Sequence, residues 1–368
     1  MKFYWKRMKQ PTSTLLALAI GAVQIHHDVV SAEYTIRGNP NVRDDPPPPC
    51  DDYLNNLLAS LANEDPGEVN RIRRILAMEN RPCYKHYFDV FADHFLHRVK
   101  SVKKHVNLHI PKAGGMSLCS IARHSEYGSD IPADTNCWER EHFYPMWCIY
   151  YLGTRPKWES CEALDENTPG FVMNENYLDY PLCMQQRLYS ALVREPVERA
   201  ISHELHLDAL KDTDHHDLPQ RLFESRLAMG RMNYMTWALT ADLFADNLDK
   251  ASLVPGKMHA EVAMDTLSRF DFIMELSEDV ECDAAILHFM GLGDDVVEPH
   301  MNAEFGKFEA KWHPPQPRSV YEEWNNLDRE VYEYAKRLIE VDCEFFKRLR
   351  KANSKPRYHH MPKNLAGI

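Results

Sequence analysis

The residues with the clearest chemical potential lie in one short stretch, from His105 to Leu118. Its first half alternates apolar and polar side chains as a β-strand does, and Pro111 ends that pattern. Two glycines follow, and after them a helix is predicted to begin. Because the first N–H groups of a helix have no partner within it and lie at the positive end of its dipole, such a strand–turn–helix unit suits an anion. Lys112 would add a mobile positive charge, and Ser117 would add a hydroxyl donor.

The order of residues in this loop differs from that in the phosphate loop of nucleoside triphosphatases. There a lysine follows the glycines, whereas Lys112 precedes Gly114 and Gly115. A kinase would also need carboxylates arranged for Mg²⁺, and the sequence offers no convincing arrangement of that kind. A nucleotide-dependent kinase is therefore the weaker hypothesis.

A second strand–turn–helix pattern carries another cation. The run Leu188 to Val193 is apolar and short, as a buried strand is, and Arg194 follows it directly. Arg194 could hold a phosphate with its bidentate fork, and Ser202 could do so with its hydroxyl. The alternative is that Arg194 only pairs with Glu195 or Glu198 on a solvated helix end. Since ligands of parallel sheets bind at the carboxyl ends of strands, two such units favour the phosphate site.

Together the two stretches resemble the nucleotide signatures of sulfotransferases that use 3′-phosphoadenosine 5′-phosphosulfate (PAPS). The first is His-Ile-Pro-Lys-Ala-Gly-Gly-Met-Ser, ending at Ser117, and the second is Val-Arg-Glu-Pro-Val-Glu-Arg-Ala-Ile-Ser, ending at Ser202. They are most similar to the Golgi carbohydrate sulfotransferases of the heparan sulfate 2-O-sulfotransferase type. The resemblance continues in residues 269–278 and 325–335, and it covers roughly residues 101–350.

This resemblance implies a three-layer α/β/α fold with a central parallel sheet, similar to that of P-loop NTPases. It implies that the first loop holds the 5′-phosphosulfate of PAPS and that the second element holds the 3′-phosphate. Lys112 is then the catalytic cation at the leaving oxygen, and no metal is expected because the cations and loop N–H groups can neutralise the charge. The donor-binding residues so implied are Pro111, Lys112, Ala113, Gly114, Gly115, Met116, Ser117, Leu118, Arg194 and Ser202.

The resemblance also implies where the general base lies. In the 2-O-sulfotransferases a Gly-Phe…Tyr-Leu-Asp pattern carries a catalytic histidine, and here Glu175 occupies that position after Gly170. Other carbohydrate sulfotransferases use a glutamate base, so Glu175 is the predicted base, and 2-O specificity does not carry over. A surface role for Glu175, with His109 or His203 as the base, is the alternative.

The expected acceptor is a hydroxyl of a carbohydrate in a glycan or proteoglycan. A tyrosine of a secreted protein is a second acceptor class, and a non-catalytic glycan-binding protein on the same fold is a third hypothesis. The composition is that of a globular protein, with 44% apolar residues and a net charge of −12. That charge argues against indiscriminate binding to nucleic acid.

The N-terminal region predicts entry into the secretory pathway. Residues 1–32 combine a basic start with an apolar run from Leu15 to Val23, which is typical of a cleaved signal peptide. The alternative is an uncleaved type II anchor that tethers the protein to the membrane, which the resemblance to Golgi enzymes favours. Both place the protein in the secretory pathway, and the resemblance implies the Golgi lumen.

The remaining chain is predicted to form a proline-rich stem at 33–50, a helical segment at 51–100, the sulfotransferase domain at 101–350 and a C-terminal tail at 351–368. A stripe of apolar residues from 324 to 349 predicts a terminal helix that packs on the core. The basic residues of the helical segment are interpreted as a solvated helix face or, alternatively, as a patch that faces a polyanion. They are Arg71, Arg73 and Arg74, taken together with Lys100 and with Lys103 and Lys104 just after the segment.

Nine cysteines suit a compartment in which disulfides persist. Because nine is odd, at least one thiol has no partner within the chain, and Cys119 is predicted to be that buried thiol. Four others are expected to form local disulfides: Cys137, Cys148, Cys161 and Cys183. One further element, Asn233-Tyr-Met-Thr-Trp, resembles a family Asn-x-Gln-Thr-Arg motif in which Met235 and Trp237 replace the Gln and Arg.

Overall fold

In a computed structural model of this protein, the described residues form a sheet of four parallel strands. The strands and the first helices are α1 (Pro66–Glu79), α2 (Arg81–Ser101), β1 (Lys104–His109), α3 (Gly115–Arg123), β2 (Phe171–Asn174) and β3 (Arg187–Val193). They continue as α4 (Pro196–Lys211), α5 (Tyr234–Phe244), α6 (Lys257–Arg269), β4 (Phe272–Glu275), α7 (Val280–Phe289), α8 (Arg318–Trp324) and α9 (Asn326–Ser354). The structure describes residues 50, 65–128, 131, 137, 161, 170–174, 177–178, 182–211, 232–244, 254–275, 279–293 and 313–354.

The strand order is β2-β1-β3-β4, and every pairing is parallel. Parallel neighbours need crossover connections, which here contain helices. The class predicted from the sequence, α/β with a central parallel sheet, is therefore confirmed. β3 begins at Arg187, one residue before the predicted run, and all seven of its residues are buried.

Burial on both faces of β1 differs from what its alternation suggests. An alternating strand usually exposes its polar side, yet His105 and Asn107 are as buried as Val106 and Leu108. Both polar side chains have a hydrogen-bond partner in the Ser190 hydroxyl of β3. This hydroxyl lies 2.7 Å from His105 Nε2 and 2.7 Å from Asn107 Nδ2. A short polar seam thus runs inside the sheet toward the loop that follows β1.

Helices α1, α2 and α9 share one hydrophobic core with the sheet. Phe95 of α2 makes ring contacts with Phe272 of β4 and with Phe345 and Phe346 of α9. The predicted role of the terminal helix is confirmed, since four of its apolar stripe residues are fully buried or nearly so: Val331, Leu338, Phe345 and Leu349.

The interpretation of the basic residues in α1 is wrong for two of the three. Arg73 and Arg74 are buried, and both bond to Asp342 of α9 at distances of 2.5 to 3.0 Å. Arg74 also donates to the carbonyls of Ser268 and Phe270. Only Arg71 is partly exposed, where it pairs with Glu68. The partner of the buried pair lies more than 260 residues away in the chain, so local sequence does not reveal it.

The cysteines correct another expectation. Cys119 is not a free thiol, because it pairs with Cys137 across a Cα–Cα distance of 5.6 Å. The structure brings three further pairs to disulfide distance: Cys50 with Cys83, Cys161 with Cys183, and Cys282 with Cys343. These pairs are compatible with a secreted protein. Cys148 lies outside the described residues.

Several predictions fall outside the described part of the chain. They concern the signal or anchor at 1–32, the stem except Cys50, residues 51–64, and the tail beyond Ser354. Among the helices that the structure describes, none has both the length and the apolar character needed to cross a membrane.

Candidate active site at the carboxyl edge of the sheet

The strand order reverses direction at the carboxyl ends of β1 and β3. These two strands are neighbours in parallel register, with His109 opposite Leu192. From β1 the chain goes on to β2 on one side, and from β3 it goes on to β4 on the other. Such a reversal is the topological switch point at which open α/β sheets bind ligands. The two stretches with predicted chemistry begin at this point.

The loop after β1 starts with a tight turn. Ala113 N donates to the Ile110 carbonyl at 3.1 Å, which closes a four-residue turn with Pro111 in its second position. Lys112 occupies the third position with φ of 68°. Proline second and a positive φ third is the pattern of a type II turn, in which the third residue is usually glycine. Lys112 therefore holds a backbone conformation that is strained for a residue with a side chain.

The two glycines that follow are required for different reasons. Gly114 has φ of 104° and stands before the first residue of α3. A Cβ atom on Gly115 would lie 2.0 Å from His109 Nε2, so no other residue fits without movement of the imidazole or the loop. The backbone of Gly115 thus rests directly on His109. Burial, reinforced by the charge of Lys112, lowers the pKa of His109 to about 4, so the imidazole is neutral above that pH.

Two backbone N–H groups at the start of α3 have no acceptor within the part of the protein that the structure describes. Ser117 N and Leu118 N both donate to the Gly114 carbonyl. In the described part of the chain, no acceptor is bonded to the N–H groups of Gly115 and Met116. These two donors point out of the helix start and suit an anion. Leu118 is fully buried, so its side chain belongs to the core rather than to a ligand.

Arg194 joins the second element to the loop. Its Nη1 donates to the Lys112 carbonyl at 2.9 Å, across 82 residues of sequence. The alternative interpretation of Arg194 as the partner of a helix-end carboxylate is wrong, because those carboxylates are used elsewhere. Glu195 accepts from Glu198 N at the start of α4, and Glu198 pairs with Arg318. The loop after β1 and the residue after β3 are therefore in direct contact.

The other predicted site residues are placed less directly. Ser202 is half-buried in α4, and no hydrogen bond joins it to Arg194 or to the loop among the described residues. Glu175, the predicted base, lies outside the described residues. Asn174 ends β2 opposite Leu108, at the carboxyl edge of the sheet. The alternative base His203 is buried in α4, with 8% of its surface exposed.

Sequence reasoning missed a carboxylate at the same edge. Glu275 is the last residue of β4 and lies opposite Val193 in the register. The Tyr332 hydroxyl of α9 donates to Glu275 Oε1 at 2.6 Å. Burial, this hydrogen bond and the carboxylate charge together raise the pKa of Tyr332. An acidic residue at the end of a buried apolar strand is the sequence signal that could have identified it.

The element that begins at Asn233 has a structural role. Its side-chain oxygen accepts from the N–H groups of Leu327 and Asp328, the first turn of α9. The Asp328 carboxylate in turn accepts from Met235 N and Thr236 N, the first turn of α5. Each helix start therefore caps the other, and the two stretches that resemble the family support one another. Met235 and Trp237 are buried in the core.

Comparisons of the chain with protein-family models, with curated proteins and with solved structures find no match. The site therefore rests on its own geometry: a loop with two unbonded backbone donors and an arginine that meet at the switch point of a parallel sheet.

Proposed function

We propose that this protein is a PAPS-dependent sulfotransferase that transfers a sulfuryl group to a hydroxyl of a carbohydrate. The observation that carries the proposal is the hydrogen bond from Arg194 to the Lys112 carbonyl. It supports a single site in which both stretches that resemble the PAPS signatures take part. We propose on the same grounds that the sheet and its helices form the three-layer, P-loop-like fold of that family.

The residues fit the donor. PAPS carries two anionic groups, the 5′-phosphosulfate and the 3′-phosphate. The site has a cation and unbonded N–H groups for each of them. Gly115 and Met116 present backbone donors beside Lys112, and Arg194 has N–H groups beyond the one that it gives to the loop. We assign the 5′-phosphosulfate to the loop and the 3′-phosphate to Arg194 and Ser202.

When bound, the donor supplies the sulfuryl group and a nucleotide phosphate that leaves. In the proposed mechanism Lys112 stabilises the negative charge that develops on the leaving oxygen. The N–H groups of Gly115 and Met116 hold the phosphosulfate in line with the acceptor hydroxyl. A carboxylate takes the proton of that hydroxyl, and Glu175 remains the proposed base.

The proposed location is the lumen of the secretory pathway, in the Golgi. The cysteine pairs at disulfide distance are compatible with that location. The proposed acceptor is a carbohydrate hydroxyl. A tyrosine peptide, the alternative acceptor, is tested beside it.

Isothermal titration calorimetry tests the nucleotide assignment. We expect 3′,5′-adenosine bisphosphate to bind the wild-type protein, and we expect ATP with Mg²⁺ to bind at least about a hundredfold more weakly, because the 3′-phosphate contact is absent. Tighter binding of Mg²⁺–ATP would contradict the proposal and would favour a kinase.

A further inference from the structure

We infer that Arg194 is a positioning residue for the donor-binding loop as well as a ligand of the donor. By holding the Lys112 carbonyl, it fixes the backbone conformation in which the loop binds the phosphosulfate. The inference deepens the proposed function, on which its nucleotide readout rests. It assigns to one residue two tasks that can be measured separately.

The loop needs such a restraint. Lys112 has a positive φ in a turn position that usually holds glycine, and this conformation costs on the order of a few kilocalories per mole for other residues. Strained conformations persist only where surrounding contacts determine them. The Arg194 guanidinium is such a contact, because it donates to the Lys112 carbonyl.

The fold places Arg194 at the correct position for this role. All six residues of β1 pair with β3 in parallel register, so the residues that follow the two strands leave the sheet side by side. Arg194 comes directly after Val193, the last residue of β3, and its backbone is fixed by the buried strand. Its side chain therefore starts from a rigid support, unlike the loop that it holds.

The contact also controls which backbone groups face the ligand. A carbonyl oxygen that turned toward the phosphosulfate would repel it, and the bond to Arg194 keeps the Lys112 carbonyl engaged. An arginine has five N–H donors, and within the described chain only this one hydrogen bond is made by the Arg194 side chain. The remaining donors can bind a phosphate while the loop is held.

Two nucleotides separate the two tasks. 5′-AMP has the 5′-phosphate alone, whereas 3′,5′-adenosine bisphosphate has both phosphates. If Arg194 only binds the 3′-phosphate, Arg194→Ala should leave the affinity for 5′-AMP unchanged. If Arg194 also positions the loop, we expect calorimetry to show that the affinity for 5′-AMP falls about tenfold and that for the bisphosphate falls further.

Hydrogen exchange followed by mass spectrometry provides a readout that needs no nucleotide. We expect the amides of residues 113–118 to exchange at least about tenfold faster in Arg194→Ala than in the wild type. Arg318→Ala is the matched control, because it removes an exposed arginine that pairs with Glu198 beside the same helix start. This control should change neither the exchange of the loop nor the affinity for 5′-AMP.

A second pair of variants distinguishes the positioning role from a general folding defect. Lys112→Gly can adopt the positive φ without strain, so adding Arg194→Ala in that background should accelerate loop exchange much less. Equal acceleration in both backgrounds would overturn the positioning role. So would a loss of bisphosphate affinity with unchanged 5′-AMP affinity and exchange, although the proposed function would then stand. If the wild type binds neither nucleotide, the proposed function fails, and the exchange data alone decide the positioning role.

Discussion

The contact between Gly115 and His109 provides the sharpest test of the loop geometry, through the substitution Gly115→Ala. The added Cβ would lie 2.0 Å from His109 Nε2, although ordinary contact begins near 3.4 Å. The imidazole is buried on the last residue of β1, so the loop must yield by about 1 Å. We expect the free energy of unfolding to fall by about 1 to 3 kcal/mol, the usual cost of inserting a methyl group into a packed site.

The effect on donor binding should be larger than the effect on stability. A shift of the loop misaligns the N–H groups of Gly115 and Met116, which are two charge-assisted hydrogen bonds to the phosphosulfate. Losing them costs about 3 kcal/mol, or about a hundredfold in affinity for 3′,5′-adenosine bisphosphate by calorimetry. Gly256→Ala is the control, because a Cβ there meets nothing closer than 3.7 Å.

A compensating substitution tests whether the contact with His109 causes the defect of Gly115→Ala. His109→Ala removes the ring that the new Cβ would strike, so the double variant with Gly115→Ala should bind the bisphosphate more tightly than Gly115→Ala alone. Wild-type affinity in the single Gly115 variant would refute the proposed contact. An unimproved double variant would show that the defect arises from another cause.

The remaining predictions concern stability. Asp342→Ala should lower the free energy of unfolding by about 3 to 5 kcal/mol, since Arg73 and Arg74 stay buried without their carboxylate. Glu344→Ala, which breaks the exposed pair with Arg81 on the same helix, should cost under about 1 kcal/mol by chemical denaturation, and equal losses would contradict the buried pair. Stability should also fall as the pH drops from about 6.5 toward 4. Burial lowers to about 4 the pKa of three histidines, His94, His105 and His109, whereas an unfolded histidine accepts a proton near 6.5, and each can contribute up to about 3 kcal/mol. His105→Gln should reduce the slope of stability against pH by one proton. An unchanged slope would count against the buried neutral state of His105.

The sequence predicted those features that depend on residues close together in the chain. The alternation up to Ile110, the stop at Pro111 and the glycines define β1 and α3, and the structure agrees within one residue. The position of Arg194 after an apolar run predicted its place at the sheet edge, because parallel strands share that edge.

The errors arose where distant residues decide the environment. Arg73 and Arg74 look like a solvated helix face until Asp342 is brought to them by α9. The alternation in β1 does not reveal that His105 and Asn107 are buried, because Ser190, to which both bond, comes from β3. Cys119 likewise depended on which cysteine the fold brings near it. None of these partners can be read from local pattern, since each is set by tertiary packing.

Transfer of labelled sulfate from PAPS to a panel of glycans tests the proposed function most directly. We expect the wild-type protein to label at least one carbohydrate and not a tyrosine peptide. Lys112→Ala should abolish labelling while the protein keeps its unfolding temperature, because the lysine acts on the leaving oxygen and the fold does not depend on it. Labelling by Lys112→Ala at the wild-type rate would contradict the mechanism, and no labelling of any glycan by the wild type would contradict the proposed function.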